Sequence, residues 1–174
     1  MMIVPEKTVN YRVYRNGVQY MGMATVDLPQ LQYMTASISG SGIAGEVDTP
    51  VTGHFQSMST TLHFRTTTEA SMTLLTPQPH ELDLRASIDA NNPATGLRFR
   101  QAVRLWIKGV PKSNNPGKFE PGTTMDNDVE LEVLAMGLWI DGVEQCYIDK
   151  MNYICRVDGV DYLADARVAE GIGG

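Results

Sequence analysis

Apolar and polar residues alternate with a period of two along most of this chain, interrupted by Gly, Pro, Asn and Asp, while helical spacing is scarce. That pattern belongs to half-buried strands. Residues 11–15 and 18–25 flank Asn16-Gly17, a pair tolerant of positive φ, which predicts an opening β-hairpin. In residues 57–68, seven of twelve are Ser or Thr; Met58, Leu62 and Phe64 fall on one face and Ser59, Thr61, His63 and Arg65 on the other. A strand with one wet face is expected there. Residues 68–75 then offer Thr68 as an N-cap, Glu69 as an early acid and apolar positions three apart before Pro77, predicting one short helix.

Alternation resumes over residues 80–88, with Leu82, Leu84, Ala86 and Ile88 opposite Glu81, Asp83, Arg85 and Ser87. A turn is expected at 91–96. Over residues 97–108, Phe99, Val103, Leu105 and Ile107 oppose Arg98, Arg100, Arg104, Trp106 and Lys108, an oily face and a basic one. Residues 109–125 hold Pro111, Pro116 and Pro121 and read as a long exposed connection. Asp141-Gly142 and Asp158-Gly159 predict two further hairpin turns, between strands at 128–140 and 143–157 and beyond. The expectation is a mainly β single domain over residues 1–174, of seven to nine strands, without repeats.

At 174 residues, 43% hydrophobic and 20% charged, the chain can bury roughly 68 to 72% of its unfolded surface, which excludes disorder as the main state. No apolar run reaches the roughly 18 residues of a spanning helix, and the start, MMIVPEKTVNYR, lacks a signal peptide's basic and apolar regions, so neither a membrane anchor nor a cleaved leader is expected. Cys146 and Cys155 are expected to be buried thiols. The net charge of −6 is unevenly spread: residues 1–119 carry 11 Lys and Arg against 8 Asp and Glu, and residues 120–174 carry 3 against 12. That acidity argues against stable binding to nucleic acid, which needs clustered basic residues.

Candidate chemistry is sparse. Residues 90–119 hold six basic side chains and no acid, but Asp126, Asp128, Glu130 and Glu132 follow. Cross-strand or cross-subunit ion pairing is the expected use of the basic run. His54, His63 and His80 have no metal-site spacing, no Ser sits in GxSxG, and neither cysteine has a neighbouring base, so no nucleophile, metal ligand or cofactor is assigned. Residues 37–53 are glycine-rich without the pattern of a phosphate loop. They read as a surface loop or extended hairpin, or as an arm that orders against a neighbouring subunit. Of ten methionines, Met21, Met23, Met34, Met58, Met136 and Met151 lie in or beside predicted strands and suit core filling or adaptable contacts.

Three stretches together resemble the major tail tube protein of contractile-tailed bacteriophages, a family that also forms the inner tube of phage-tail-like bacteriocins. They are Tyr14-Arg15-Asn16-Gly17-Val18-Gln19-Tyr20-Met21-Gly22 with Val26-Asp27-Leu28-Pro29-Gln30-Leu31, then Ser39-Gly40-Ser41-Gly42-Ile43-Ala44-Gly45-Glu46, and finally Ile148-Asp149-Lys150-Met151-Asn152 with Asp158-Gly159-Val160-Asp161. Residues 57–68, rich in Thr, and 109–125, rich in Pro, depart from the family pattern.

The resemblance implies a two-sheet, barrel-like β-sandwich with a short flanking helix, and homohexameric rings stacked into a hollow tube. It implies a tail sheath protein outside, baseplate and tail terminator proteins at the ends, and a tape measure protein in the lumen during assembly. DNA would only be in transit, and the place would be a virion tail or bacteriocin particle, assembled in the bacterial cytoplasm. Contacts between subunits and rings would involve Ser39, Gly42, Ile43, Gly45, Glu46 and Asp48 of the arm, Arg98, Arg100, Arg104 and Lys108 of the basic strand, and Asp126 and Asp128. Ser59, Thr61, Glu81, Asp83, Glu130 and Glu132 are candidates for the lumen wall, where carboxylates and hydroxyls would repel phosphate. The alternative is a monomeric sandwich that binds carbohydrate or another ligand by stacking on Trp106, Trp139 and Tyr153. No catalytic residue is expected.

Overall fold

Asn16 and Gly17 take φ angles of 49° and 75°, and the chain reverses there because both residues tolerate the left-handed region. In this computed structural model, which describes residues 4–22 and 24–172, that turn joins β1 (Val4–Arg15) to β2 (Gln19–Tyr20). There follow β3 (Ala24–Asp27), β4 (Tyr33–Ser39), β5 (Glu46–Phe55), β6 (Ser59–Phe64), helix α1 (Glu69–Thr73), β7 (His80–Asn91) and β8 (Arg98–Asn115). The chain ends with β9 (Asn127–Ile140), β10 (Val143–Asp149), β11 (Ile154–Val157), β12 (Val160–Asp161) and helix α2 (Ala164–Ala169).

Ten strands form one sheet, and β4 and β5 form a second, two-stranded one. The order in the large sheet is β12-β11-β10-β9-β8-β7-β1-β2, and β6 and β3 branch from β9. The branch arises because β9 is long enough to serve two partners on one edge. Residues 127–132 pair with β6 and residues 135–140 with β10, while β8 runs along the other edge.

Register shifts at Lys108/Gly109 and Pro111/Ser113 bend the β8–β9 pair. At the first, a side chain on Gly109 would lie 2.9 Å from the Glu132 carbonyl oxygen, so only glycine fits. The bend carries β6 and β3 over the face of β7 and β8. Leu62 and Phe64 of β6 therefore share one buried cluster with Leu82 and Leu84 of β7, Leu105 and Ile107 of β8 and Val129, Leu131 and Val133 of β9. Burying a side chain of this size is worth roughly 1.5 to 3 kcal/mol, so this cluster is the main stabilising unit.

The mainly β fold is as expected, with one loop shorter than expected. The second layer is a folded-back part of one sheet, and no closed barrel forms among the described residues, because β3 at one end of the arc pairs with neither β1 nor β2 at the other. The connection expected over 109–125 is shorter. β8 continues through Pro111 to Asn115 because the proline sits at a bulge, where no ladder hydrogen bond is required of it.

The helix starts where the sequence indicated. The Thr68 hydroxyl accepts from Ser71 N at 3.2 Å, and Ser71 Oγ accepts from Thr68 N at 3.0 Å, closing a capping box. Met21, Met58 and Met136 are core residues, Met34 and Met151 are exposed, and Met23 lies outside the described residues. No helix among the described residues is long and apolar enough to cross a membrane.

Candidate assembly surfaces

The β4–β5 hairpin projects from the body. Among the described residues its strands pair only with each other, β4 is exposed along its whole length, and Met34, Ile38, Ile43 and Val47 are open to solvent. Its root is fixed. Tyr33 and Phe55 pack with their rings tilted by 32° and centroids 4.6 Å apart, His54 meets Tyr153 edge-on, and Gly53 (φ 71°) lies so close to Leu163 that a Cβ would be 2.5 Å from its Cγ. The candidates Ser39, Gly42, Ile43, Gly45, Glu46 and Asp48 all fall in the outer half, with Gly42 at φ 101° and Gly45 at φ 147° shaping the tip. Ser37 donates to the Glu46 carboxylate, whereas the Asp48 side chain has no partner among the described residues.

The basic strand is β8, and its alternation is as read, but its partners differ. Asp126, Asp128, Glu130 and Glu132 do not face Arg98, Arg100, Arg104 or Lys108. The extension of β8 to Asn115 sets Glu132 opposite Val110, Glu130 opposite Ser113 and Asp128 opposite Asn115. Arg104 instead reaches Asp83 of β7 at 2.8 Å, and Arg100 approaches Asp89 at 3.9 Å. Arg98 and Lys108 have no side-chain partner among the described residues.

Of the six candidates for a lumen wall, four lie on β6 and β9 and two on β7. Ser59 pairs with Glu132 and Thr61 with Glu130, forming one half-buried polar patch on β6 and β9, with Lys112 3.2 Å from Glu130 and Lys150 3.5 Å from Glu132. Burial opposes ionisation of Glu132, but Ser57 and the two lysines more than offset it, and Lys112 and Ser113 likewise hold Glu130 below the usual carboxylate range. Glu81 and Asp83 lie apart, on β7. Asp83 is buried beneath Arg85, at 2.6 Å, and Arg104. Burial raises its pKa, and hydrogen bonds from Arg104 and then Arg85 outweigh that, so it stays ionised but offers no free carboxylate.

His63 shows a constellation that sequence reading missed. Its Nε2 lies 2.9 Å from Asp27 Oδ2 and its Nδ1 2.6 Å from Asp128 Oδ1, so both ring nitrogens face carboxylates. The hydrogen bonds to Asp27 and then Asp128 raise its pKa. His80 is the opposite case. Arg15 Nε donates to its Nδ1 at 3.1 Å, so Nε2 carries the proton and donates to the Thr76 carbonyl, and burial lowers its pKa. Spacing could not show either arrangement, since the partners are brought in by strand register.

The three stacking candidates do not form one platform. Trp106 stacks on Tyr147 and Trp139 lies under Arg104, whereas Tyr153 packs against the core cluster beside His54. Both cysteines are free thiols, pushed up in pKa by burial. No cluster of three metal-ligating side chains exists among the described residues.

The family model of phage tail tube protein FII matches residues 5–171. The tail tube protein of Escherichia phage P2 is 26% identical over 169 residues, covering 95% of this chain and 97% of that protein. A chain in the cryo-EM structure of an extracellular contractile injection system, the PVC sheath/tube terminator in its extended state, matches with a TM-score of 0.53 and 15% identity, over 78% of this chain and 96% of that one. At that identity the likeness concerns the fold alone.

Proposed function

This chain belongs to the phage tail tube protein FII family and is a structural protein, not an enzyme, and from that premise we propose that it builds the inner tube of a contractile tail or injection particle as stacked homohexameric rings. The observation that carries this reading is the β4–β5 hairpin. It exposes Met34, Ile38, Ile43 and Val47 and two strand edges, a surface that would drive indiscriminate pairing in a lone subunit and is made safe by contact with copies of the same chain. The interface would be that of an obligate assembly, roughly 2,000 to 5,000 Å² in total.

Charge placement supports head-to-tail stacking. The longest strand, β8, begins with Arg98 and Arg100, and its far end at Asn115 is paired with Asp128, near Asp126. Opposite signs at the two ends of one element let one ring face the next. Ser59, Thr61, Glu130 and Glu132 suit the lumen wall as a polar surface with no apolar grip on passing cargo, their carboxylates keeping Lys112 and Lys150 from binding phosphate. Partners on this reading are the sheath outside, baseplate and terminator proteins at the ends and a tape measure protein inside during assembly. The particle would be assembled in the bacterial cytoplasm as part of a virion tail or a bacteriocin, passing DNA or perforating a membrane.

Negative-stain electron microscopy of concentrated protein tests this. Rings or tubes with six-fold end views are expected. Monodisperse monomer at every concentration, also with baseplate partners added, would overturn it.

A further inference from the structure

The arc of strands is open at one place. β1 is paired with β7 on one edge; on the other, among the described residues, it meets β2 at Tyr14 and Arg15 and accepts from Met21 N at the Val13 carbonyl, leaving the edge before Val13 open. β3 is paired with β6 and has no strand on its other edge among the described residues. Between these two edges runs a groove of about 450 Å³, walled by Asn10 and Arg12 of β1 and Thr25 of β3, with Tyr20 of β2 and Gly22 at one end and His63 and Arg65 alongside. Next to it an apolar hollow of about 270 Å³ reaches toward the core between Tyr11, Val26, Leu84 and Leu105. Strand edges beside an apolar floor and guanidinium groups call for an extended segment with one apolar face and carboxylates near it.

We propose that β4 of one subunit docks in the seam between β1 and β3 of another, adding its strand to the open arc. This rests on the tube reading and names the surface that receives the hairpin. Met34, Ala36 and Ile38 alternate on one face of β4, as an apolar floor requires, and Thr35 and Ser37 point the other way. β4 is exposed along its length in the lone subunit, so it does not occupy its own seam.

Charge also matches. No Lys or Arg occurs between Asn16 and Phe64, and β5 carries Glu46 and Asp48, the latter opposite Ser37. The seam offers Arg12 and Arg65, neither of which meets a carboxylate among the described residues, whereas the nearby Asp27 and Asp128 are already held by His63. Seven residues of β4 span about 23 Å, within the reach of the free edge of β1.

The test combines a cross-link with a charge swap. Subunits bearing Ser37→Cys are mixed with subunits bearing either Asn10→Cys or Thr25→Cys, assembled and gently oxidised; a mixed disulfide dimer is expected in tubes and not in free subunits. Arg65→Glu and Asp48→Lys should each raise the concentration needed for assembly at least about fivefold, and the double variant should return it to within about twofold of the parent. Unmodified protein serves as control. Tubes without any mixed disulfide, or single variants that assemble like the parent, would overturn the docking and leave the tube reading standing. Failure of the unmodified protein to form tubes would remove both.

Discussion

The rings of Trp106 and Tyr147 stack with centroids 6.0 Å apart and planes 8° from parallel, across Gly137, which lies between them in the sheet. The glycine is what permits it. A Cβ there would sit 2.3 Å from the Trp139 ring and 3.1 Å from Tyr147. Trp139 cannot simply swing away, because Arg104 covers its ring at 5.4 Å and is itself tied to Asp83. Gly137→Ala should therefore cost about 1 to 3 kcal/mol, through overpacking. Urea unfolding followed by tryptophan fluorescence reads the loss directly.

Asp83→Asn should destabilise the subunit by about 1 to 3 kcal/mol at neutral pH, since Arg85 and Arg104 lose their common carboxylate but remain half-exposed and hydrated. The folded pKa of Asp83 is depressed, so its contribution is present above the ordinary Asp pKa of about 3.9 and is lost as pH falls through the folded value. The variant should thus show a flatter decline in stability in acid than the parent, a difference visible in unfolding curves at several pH values.

The two histidines should act with opposite sign. The raised pKa of His63 means that its clamp on Asp27 and Asp128 is fully present below about pH 6.5 and is lost as pH rises through the folded value. At this part-exposed site the gain is below about 1 kcal/mol. Two-dimensional NMR should find its ring still protonated above the ordinary histidine pKa of about 6.5. His63→Gln should remove the decline on the alkaline side.

His80 is neutral in the fold, so its contribution holds above its ordinary pKa and fails as pH drops through the lowered one, when a second cation would face the Arg15 guanidinium. His80→Gln can still accept from Arg15, and its acid unfolding midpoint should move to lower pH. An unchanged midpoint would mean that this buried pair does not control acid lability.

Replacing residues 39–50 by Asn-Gly removes no core side chain, because that part of the hairpin is exposed. The melting temperature should stay within about 4 °C of the parent, equivalent to roughly 1 kcal/mol. Long tubes should be absent in electron micrographs. Tubes of parental length would show that the hairpin tip plays no part in stacking.

How far the chain can be read without its fold is clearest at β8. The alternation of Arg98, Arg100, Arg104 and Lys108 with Phe99, Val103, Leu105 and Ile107 predicts the two faces correctly. The same strand misleads at Pro111, which reads as loop and is a bulge inside a continuing strand. That extension displaces Asp128, Glu130 and Glu132 from the arginines they would otherwise meet. Asp83 reads as a wet-face carboxylate and is buried, because the arginines on either side of it close over it.

Period-two alternation, the Asn16-Gly17, Asp141-Gly142 and Asp158-Gly159 turns and the Thr68 cap are local properties of the chain, and the sequence by itself determined from them a mainly β molecule with known faces. Tertiary structure alone decided that His63 joins Asp27 to Asp128, that Trp106 stacks on Tyr147, and that the arc stays open between β1 and β3. Each depends on the register between distant segments, which bulges shift by single residues and core packing then holds in place; no local pattern records such a shift.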